Sequence, residues 1–278
     1  MAPRTRDTCA APPLVTGVDI AAALRAAGLR PGGVLLVHAA LSPLGHVVGG
    51  AEAVVLALRE AVGPDGTLMA PAQSWTNLDP ASGVHDRPEA DWPAIRAGLP
   101  GYDPATTPSD RMGRVAEVIR TWPGARRSPH PARSWAALGP EADALTAIHD
   151  AHDPHGPGSP LGRARERRAS ILLLGVGYGA CTALHLGETL TARPGDPIKR
   201  HTSWIRTATG RLAVDYTTPA FDAAPFPRIG AAFERVAGLG PHPLGAGHLR
   251  LIPMAPLVDF AVEWLGHARG VSPRDPSR

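Results

Sequence analysis

Three polar residues at three-residue intervals make the clearest chemical pattern in this sequence. Thr182, His185 and Glu188 lie in the segment Cys-Thr-Ala-Leu-His-Leu-Gly-Glu-Thr-Leu, shortly after an apolar run. A helix over residues 180–192 would place all three on one face. A carboxylate one turn from a histidine orients the imidazole and stabilises its protonated form, so the pattern predicts a general base. A capping threonine and a satisfied His–Glu pair on a solvated face are the alternative.

A second histidine lies between two prolines, in Ser128-Pro129-His130-Pro131. Prolines restrict the backbone on both sides of His130, which reduces the entropy lost when its side chain is positioned. His130 is therefore a competing candidate for the general base. An ordinary surface turn is the alternative, and the residues alone do not decide.

Three further histidines, His149, His152 and His155, lie close together in a loop with two aspartates. Imidazole and carboxylate groups bind zinc or manganese, and a metal-dependent hydrolase is one function that they would allow. Pro154 and Gly156 break any helix in this segment, so the spacing does not bring the three rings together. We predict no metal.

Charge is segregated along the chain, although the formal net charge is only +3. Residues 75–110 carry six acidic and two basic side chains, a balance that suits a cationic ligand. Residues 111–133 carry six arginines and one glutamate, a balance that suits phosphates. Two solvated faces of opposite sign are the alternative. The small net charge does not indicate a nucleic-acid partner.

Cysteine content and hydropathy indicate a cytoplasmic protein. The two cysteines, Cys9 and Cys181, lie in unrelated contexts and suggest no disulfide framework. No apolar segment of the signal-peptide type follows Arg4 and Arg6, and no run reaches the roughly 20 apolar residues of a membrane span. We expect no membrane association, and a monomer or a homodimer.

The elements that must position the candidate residues follow the order of an α/β fold. Short continuous apolar runs at 33–38, 67–70 and 170–175 are typical of strands buried on both faces. Helices are predicted at 20–27, 51–62, 112–121, 141–149, 228–237 and 256–268. We predict a three-layer α/β/α fold around a central mixed, largely parallel sheet, with ligands bound beyond the carboxyl ends of its strands.

A single domain is predicted over residues 16–268, between disordered tails at 1–15 and 269–278. Residues 73–108 are rich in Pro, Asp, Trp and Gly and show no sustained period, so we interpret them as a long substrate-binding insertion. Residues 193–250 are a possible second lobe.

Several segments occur together in an order and spacing that match one family over roughly residues 17–265. They are Leu-Val-His38-Ala-Ala-Leu-Ser42, Gly49-Gly50, Gly66-Thr-Leu-Met-Ala-Pro71, Met112-Gly113, Arg127-Ser-Pro-His130-Pro, Gly158-Ser-Pro160, and Leu-Leu-Gly175 through Thr182-Ala-Leu-His185-Leu-Gly-Glu188. On these residues the chain resembles the aminoglycoside 3-N-acetyltransferases. It departs from them at Ala39-Ala40, where the family often has two serines, and at Gly187, where it often has alanine.

The resemblance implies an acyltransferase that uses acetyl-CoA and no metal. It would acetylate the 3-amine of a 2-deoxystreptamine aminoglycoside and so confer antibiotic resistance. A related enzyme acting on another small amine, a metal-dependent hydrolase built on the histidine loop, and a non-catalytic CoA-binding module are the alternative functions. We predict direct transfer in a ternary complex, with Thr182 or a helix-terminal N–H stabilising the oxyanion.

Two groups of residues are expected to hold the substrates if the resemblance is correct. Acetyl-CoA would lie over the loop at 37–50 and against the helix that opens at Met112, near His38, Ala39, Ser42, Pro43, Gly45, Arg111, Met112 and Gly113. The polycationic acceptor would lie over the insertion, near Trp75, Asp79, Glu89, Asp103, Asp153 and His155.

Overall fold

A seven-stranded mixed sheet runs through the molecule, in the order β10-β11-β7-β2-β4-β6-β5. The computed structural model describes residues 11–268. The strands of this part are β1 (Leu14–Val15), β2 (Gly33–Ala39), β3 (His46–Val47), β4 (Gly66–Pro71), β5 (Arg126–Arg127), β6 (Trp135–Leu138), β7 (Ser170–Leu174), β8 (Ile198–Thr207), β9 (Gly210–Pro219), β10 (His242–Leu244) and β11 (Gly247–Pro253).

Helices cover both faces of the sheet. They are α1 (Gly17–Ala26), α2 (Gly50–Val62), α3 (Trp92–Gly98), α4 (Gly113–Thr121), α5 (Ala142–Thr146), α6 (Pro160–Glu166), α7 (Leu184–Leu190), α8 (Phe226–Ala237) and α9 (Met254–Ala268). Val34 and Leu36 of β2 pack toward α5 to α9, whereas Leu35 and Val37 pack toward α1, α2 and α4. This alternation confirms the predicted three-layer fold and explains why the strand is an unbroken apolar run.

The prediction of a mixed sheet is confirmed, but the description of it as largely parallel was wrong. Within the seven-stranded sheet, the two parallel pairings both involve β2, with β4 on one side and β7 on the other. The outer pairs are antiparallel. The connection from β10 to β11 is a two-residue turn, which joins antiparallel strands, because parallel neighbours need a much longer crossover. The outer strands β5, β10 and β11 lack the continuous apolar runs that mark the central strands.

The insertion at 73–108 docks on a long hairpin formed by β8 and β9. An antiparallel bridge joins Leu78 to Ser203, and a parallel bridge joins Tyr102 to Ile205. The side-chain amide of Asn77 donates hydrogen bonds to the carbonyl oxygens of Pro131 (3.1 Å) and Trp204 (2.8 Å). We call residues 73–108 and 198–219 together the acceptor lobe. Residues 193–250 do not form one lobe, because β10 and β11 belong to the central sheet.

The predicted N-terminal tail extends too far into the chain, because its last two residues belong to a strand. Leu14 and Val15 form β1 and pair in parallel with His46 and Val47, so they are not part of a disordered tail. Residues 1–10 and 269–278, the rest of the two predicted tails, lie outside the described residues. Within 11–268, no helix combines the length and the hydropathy needed to cross a bilayer.

Candidate active site

The parallel strands β2, β4 and β7 end at one edge of the sheet, and the segments that follow them carry the candidate residues. The loop at 40–49 follows β2, the insertion follows β4, and a glycine-containing turn leads from β7 into α7. Ligands of open α/β sheets bind at this edge, where chain segments diverge.

The helix that carries His185 begins later than the spacing predicts. A single 3₁₀ turn covers Tyr178–Ala180, and α7 starts at Leu184 rather than near residue 180. Thr182 lies in the turn before the helix, and its carbonyl oxygen accepts the His185 backbone N–H at 3.0 Å. Gly175 has φ 66°, and a Cβ there would lie 2.2 Å from the Ala40 carbonyl oxygen. This close approach turns the chain tightly after β7 and delays the helix. Thr182 therefore lies outside α7, and the predicted start of this helix was wrong.

His185 and Glu188 form a buried pair with a defined orientation. His185 Nδ1 contacts Glu188 Oε2, and the second carboxylate oxygen accepts the Asp222 backbone N–H at 2.9 Å. Only 16% of the His185 side chain and 10% of the Glu188 side chain are exposed. A carboxylate only accepts, so Nδ1 is the donor, and Nε2 has no partner in the described residues; in the neutral ring this nitrogen carries the lone pair.

Aromatic rings fix the plane of His185 from several sides. His155 stacks on it with ring centroids 5.1 Å apart, and Phe221 and Phe226 meet it edge-on at 5.1 and 4.7 Å. His155 is fully buried and neither of its ring nitrogens has a partner. Burial, and secondarily nearby cationic groups, hold the His155 pKa well below its usual value, so this ring is neutral. His155 supports the His185 ring instead of facing the solvent.

His130 lies at the same edge of the sheet but is held quite differently. Its Nδ1 accepts the backbone N–H groups of Ala132 (3.1 Å) and Arg133 (3.0 Å), so Nε2 must carry the proton of the neutral ring. The side chain is fully buried, and burial holds its pKa well below the ordinary value. The neighbouring ring of His149 lies 4.8 Å away. His130 therefore has no lone pair available to take a proton.

The three loop histidines do not converge on a common point. Ser128 and the Pro154 carbonyl oxygen bond the two ring nitrogens of His149 at 2.8 and 2.9 Å, whereas His152 is exposed beside Thr217. Over residues 11–268 no group of three or more His, Cys, Asp or Glu side chains could hold a metal ion. The arrangement contradicts the alternative of a hydrolase built on this loop.

Most acidic side chains of the insertion already have an arginine of the same protein as a partner. Asp79 receives two hydrogen bonds from Arg96, at 2.6 and 2.9 Å, which lower its pKa. Asp103 caps the turn that follows it and lies 3.5 Å from Arg206. Glu89 is exposed on a 3₁₀ turn. Counting charges along the sequence predicted an acidic surface, but it could not show which carboxylates are neutralised by arginine.

Asp153 is half-buried and packs against Gly156, where a Cβ would lie 1.8 Å from its carboxylate. Burial raises the pKa of Asp153, with a smaller contribution from Asp150. This contact explains the glycine at position 156. The carboxylate lies in the same loop as His155, whose ring stacks on His185.

The arginine-rich segment is also largely paired. Arg120 bonds Glu117, Arg126 bonds Asp143, and Arg127 donates to backbone carbonyl oxygens within the chain. Two exposed arginines, Arg111 and Arg114, remain at the amino end of α4, where Asp110 approaches Arg111 only to 3.8 Å.

The predicted donor-binding residues meet where the loop after β2 reaches α4. Gly113 has φ 82°, and a Cβ there would lie 3.2 Å from the Ala39 carbonyl oxygen. Met112 precedes the helix, and Ser42 and Pro43 are exposed on a 3₁₀ turn. Gly45 closes that turn. His38 is buried in β2, edge-on to Trp135. Its side chain therefore lies in the core, and only its backbone reaches this edge.

Sequence reasoning missed two residues that complete the site. Phe221, which follows β9, contacts both His155 and His185, and Arg133 lies between Trp75 and Phe221. A cavity of about 410 Å³ opens beside Glu188 and Phe221. No local pattern marks Phe221, because the β8–β9 hairpin separates it from α7 in the chain.

The fold and the site define an α/β enzyme in which a histidine–carboxylate pair presents a free imidazole nitrogen at the carboxyl edge of the parallel strands. The family model for aminoglycoside 3-N-acetyltransferases matches residues 36–266. The chain is 39% identical over 274 residues to aminoglycoside N(3)-acetyltransferase VII of Streptomyces paromomycinus, covering 92% of this chain and 94% of the relative.

Solved structures share the fold. The YokD protein from Bacillus subtilis aligns with a TM-score of 0.87 and 33% identity, over 93% of this chain and 96% of its own. A binary complex of AAC-IIIb with CoASH aligns with a TM-score of 0.81 and 32% identity, over 94% and 100% of the two chains. The chain belongs to the aminoglycoside 3-N-acetyltransferase family, so the resemblance predicted from the sequence is confirmed.

Proposed function

We propose that this protein transfers the acetyl group of acetyl-CoA to the 3-amine of a 2-deoxystreptamine aminoglycoside, and that the modification confers resistance. The observation that carries the proposal is the His185–Glu188 pair, in which Nδ1 is held by the carboxylate and Nε2 is free. Family membership supports the acceptor, and the CoASH complex of a relative supports the donor. Acetyl-CoA is a cytoplasmic metabolite, and the proposal places the reaction in that compartment.

The reaction begins with an ammonium group, which has no lone pair and cannot attack. His185 Nε2 takes one of its protons, and the amine nitrogen forms a bond to the thioester carbon. The carbonyl electrons move to oxygen, and they return as the carbon–sulfur bond breaks. The attacking nitrogen still carries one proton more than the amide, and it releases that proton to solvent as the carbon–sulfur bond breaks. The CoA thiolate takes up the proton from His185. Glu188 stabilises the imidazolium between these steps, because its carboxylate is fixed beside Nδ1.

The oxyanion requires a hydrogen-bond donor close to His185. We assign this role to the Thr182 hydroxyl or to a backbone N–H at the start of α7. Thr182 is partly buried in the turn before the helix, and its side chain has no hydrogen bond in the described residues, so its hydroxyl is available to donate.

Acetyl-CoA would lie across the loop after β2 and the amino end of α4. Helix N-termini attract anions, and Arg111 and Arg114 add two exposed positive charges there. Ala39 and Ala40 supply no hydroxyl groups, so backbone groups and Ser42 would contact the donor. On the opposite side, the acceptor would meet Trp75 and the carboxylates that no arginine neutralises, Glu89 and Asp153.

Acetyl transfer is tested with purified protein, acetyl-CoA, a thiol-trapping dye and a panel of 2-deoxystreptamine aminoglycosides, one of them blocked at the 3-amine. We expect thiol release with the free amines and none with the blocked compound. Release with the blocked compound would overturn the regiochemistry. If no aminoglycoside of the panel gives thiol release but another small amine does, the assignment of the acceptor is overturned.

A further inference from the structure

Arg133 lies between two aromatic rings, close to the carboxyl edge of the parallel strands and beside the acceptor lobe. Its guanidinium carbon is 4.7 Å from the centroid of Trp75 and 5.4 Å from that of Phe221. Phe221 in turn contacts the rings of His155 and His185. The positive charge is therefore one ring away from the proposed base, at the centre of a stack built from three separate chain segments.

The charge of Arg133 has no carboxylate to balance it. By contrast, several arginines of the acceptor lobe are paired: Arg87 with Asp91, Arg96 with Asp79 and Arg206 with Asp103. The side chain of Arg133 makes no hydrogen bond or ion pair with any residue in 11–268. Burial lowers the pKa of Arg133 to about 10, so the group stays cationic at neutral pH.

An unpaired cation is unexpected in a site for a polycationic acceptor. An ammonium group facing Arg133 would be repelled, and two charges in a partly desolvated site interact far more strongly than in water. A hydroxyl group at the same place would accept a hydrogen bond from the guanidinium. Stacking on the two rings holds the guanidinium in place, so it cannot easily withdraw.

We infer that Arg133 is a specificity-determining residue that favours acceptors carrying a hydroxyl group, rather than an amine, where the amino sugar meets Trp75 and Phe221. The inference rests on the proposed function and adds a selection rule to it.

The test uses pairs of aminoglycosides that differ by one hydroxyl in place of one amine, namely paromomycin against neomycin and kanamycin A against kanamycin B. We expect wild-type kcat/KM to favour the hydroxyl member of at least one pair by about tenfold, mainly through KM. Arg133→Gln should bring that ratio close to one, whereas Arg133→Lys should largely retain it. Arg165→Gln, an arginine paired with Asp259 outside the acceptor lobe, is the matched control and should leave the ratio unchanged.

Ionic strength provides a measurement that needs no variant. Added salt should narrow the wild-type ratio, because screening weakens the repulsion. The inference is overturned if the enzyme acetylates both members of each pair and neither Arg133→Gln nor salt alters the ratio of their kcat/KM values. The proposed function would still stand in that case. Absence of turnover with every aminoglycoside would instead remove the proposed function and the inference together.

Discussion

The surroundings of His185 and of His130 differ in what occupies Nδ1. Both rings lie at the carboxyl edge of the parallel strands, each within its own group of aromatic side chains. At His185 a carboxylate accepts the Nδ1 proton and leaves Nε2 free. At His130 two backbone N–H groups donate to Nδ1, and the proton is confined to Nε2. A histidine side chain therefore has its Nδ1 held by a carboxylate in one region and accepts hydrogen bonds from a turn in the other.

This difference shows that the group bonded to one ring nitrogen decides what the other can do. A histidine between two prolines and a histidine on a helix are equally good bases by residue type. Of the two, only the His185 region combines a ring nitrogen that has no partner in the described residues with a carboxylate that stabilises the imidazolium.

Replacing His185 should have the largest effect. We expect His185→Ala to lower kcat about 10²- to 10⁴-fold, because general-base catalysis contributes that much. Thiol release measured at saturating substrates checks it. The matched control is His267→Ala, an exposed histidine of α9, which should behave like the wild type. A His185→Ala kcat within threefold of the wild-type value would contradict the assignment.

Replacing Glu188 should have an intermediate effect. Glu188→Gln retains an oxygen that can accept the Nδ1 proton but removes the charge that stabilises the imidazolium. We expect kcat to fall roughly 10- to 100-fold, with KM little changed. Steady-state kinetics with one good acceptor checks it. A loss confined to KM would show that Glu188 binds the acceptor rather than supporting the base.

Replacing His130 should affect stability more than catalysis. In His130→Leu the N–H groups of Ala132 and Arg133 lose their acceptor, which should cost about 1–3 kcal/mol of unfolding free energy. We expect kcat to change less than tenfold. His130→Asn, whose side-chain oxygen can accept from the same turn, should recover part of the stability. Denaturant unfolding and kcat, measured together, test this. A loss of kcat as large as that of His185→Ala, at unchanged stability, would reverse the comparison.

The smallest expected effect is on how the unfolding free energy depends on pH, to which His130 contributes the binding of one proton. Burial holds the folded-state pKa of His130 well below 6.5, so below about pH 6.5 the unfolded chain binds a proton that the folded chain does not. The unfolding free energy of the wild type therefore falls as the pH drops below 6.5, by up to about 1.4 kcal/mol per pH unit for this group. His130→Asn should show a shallower fall. Unfolding midpoints at several pH values between 7.5 and 5 measure the difference, and equal slopes would mean that His130 is not kept neutral.

The central elements and the catalytic pair could be predicted because their signals are local. The buried strands are continuous apolar runs, and His185 and Glu188 meet because residues three apart on a helix are neighbours. Thr182 was misplaced, since the start of α7 depends on the contact of Gly175 with Ala40, a residue of another strand's loop.

The charged segments show the limit of composition. Six acidic residues in 75–110 predicted a cation-binding surface, yet Asp79 and Asp103 lie beside arginines of the same lobe. The arginines of 111–133 were expected to meet phosphates, and most of them bond carboxylates or carbonyl oxygens of the protein instead. A charge count along the chain contains no distances, and distance determines which charges remain available.

By itself, the sequence determined the family, the layered fold, the i,i+3 histidine–carboxylate pair and the tight turns at glycine, all of which depend on residue types within a few positions of one another. The tertiary structure decided the direction of the outer strands, which imidazole keeps a free nitrogen, and the placement of Arg133 between Trp75 and Phe221. Each of these depends on contacts between residues far apart in the chain, and such contacts exist only once the sheet, the insertion and the hairpin have packed together.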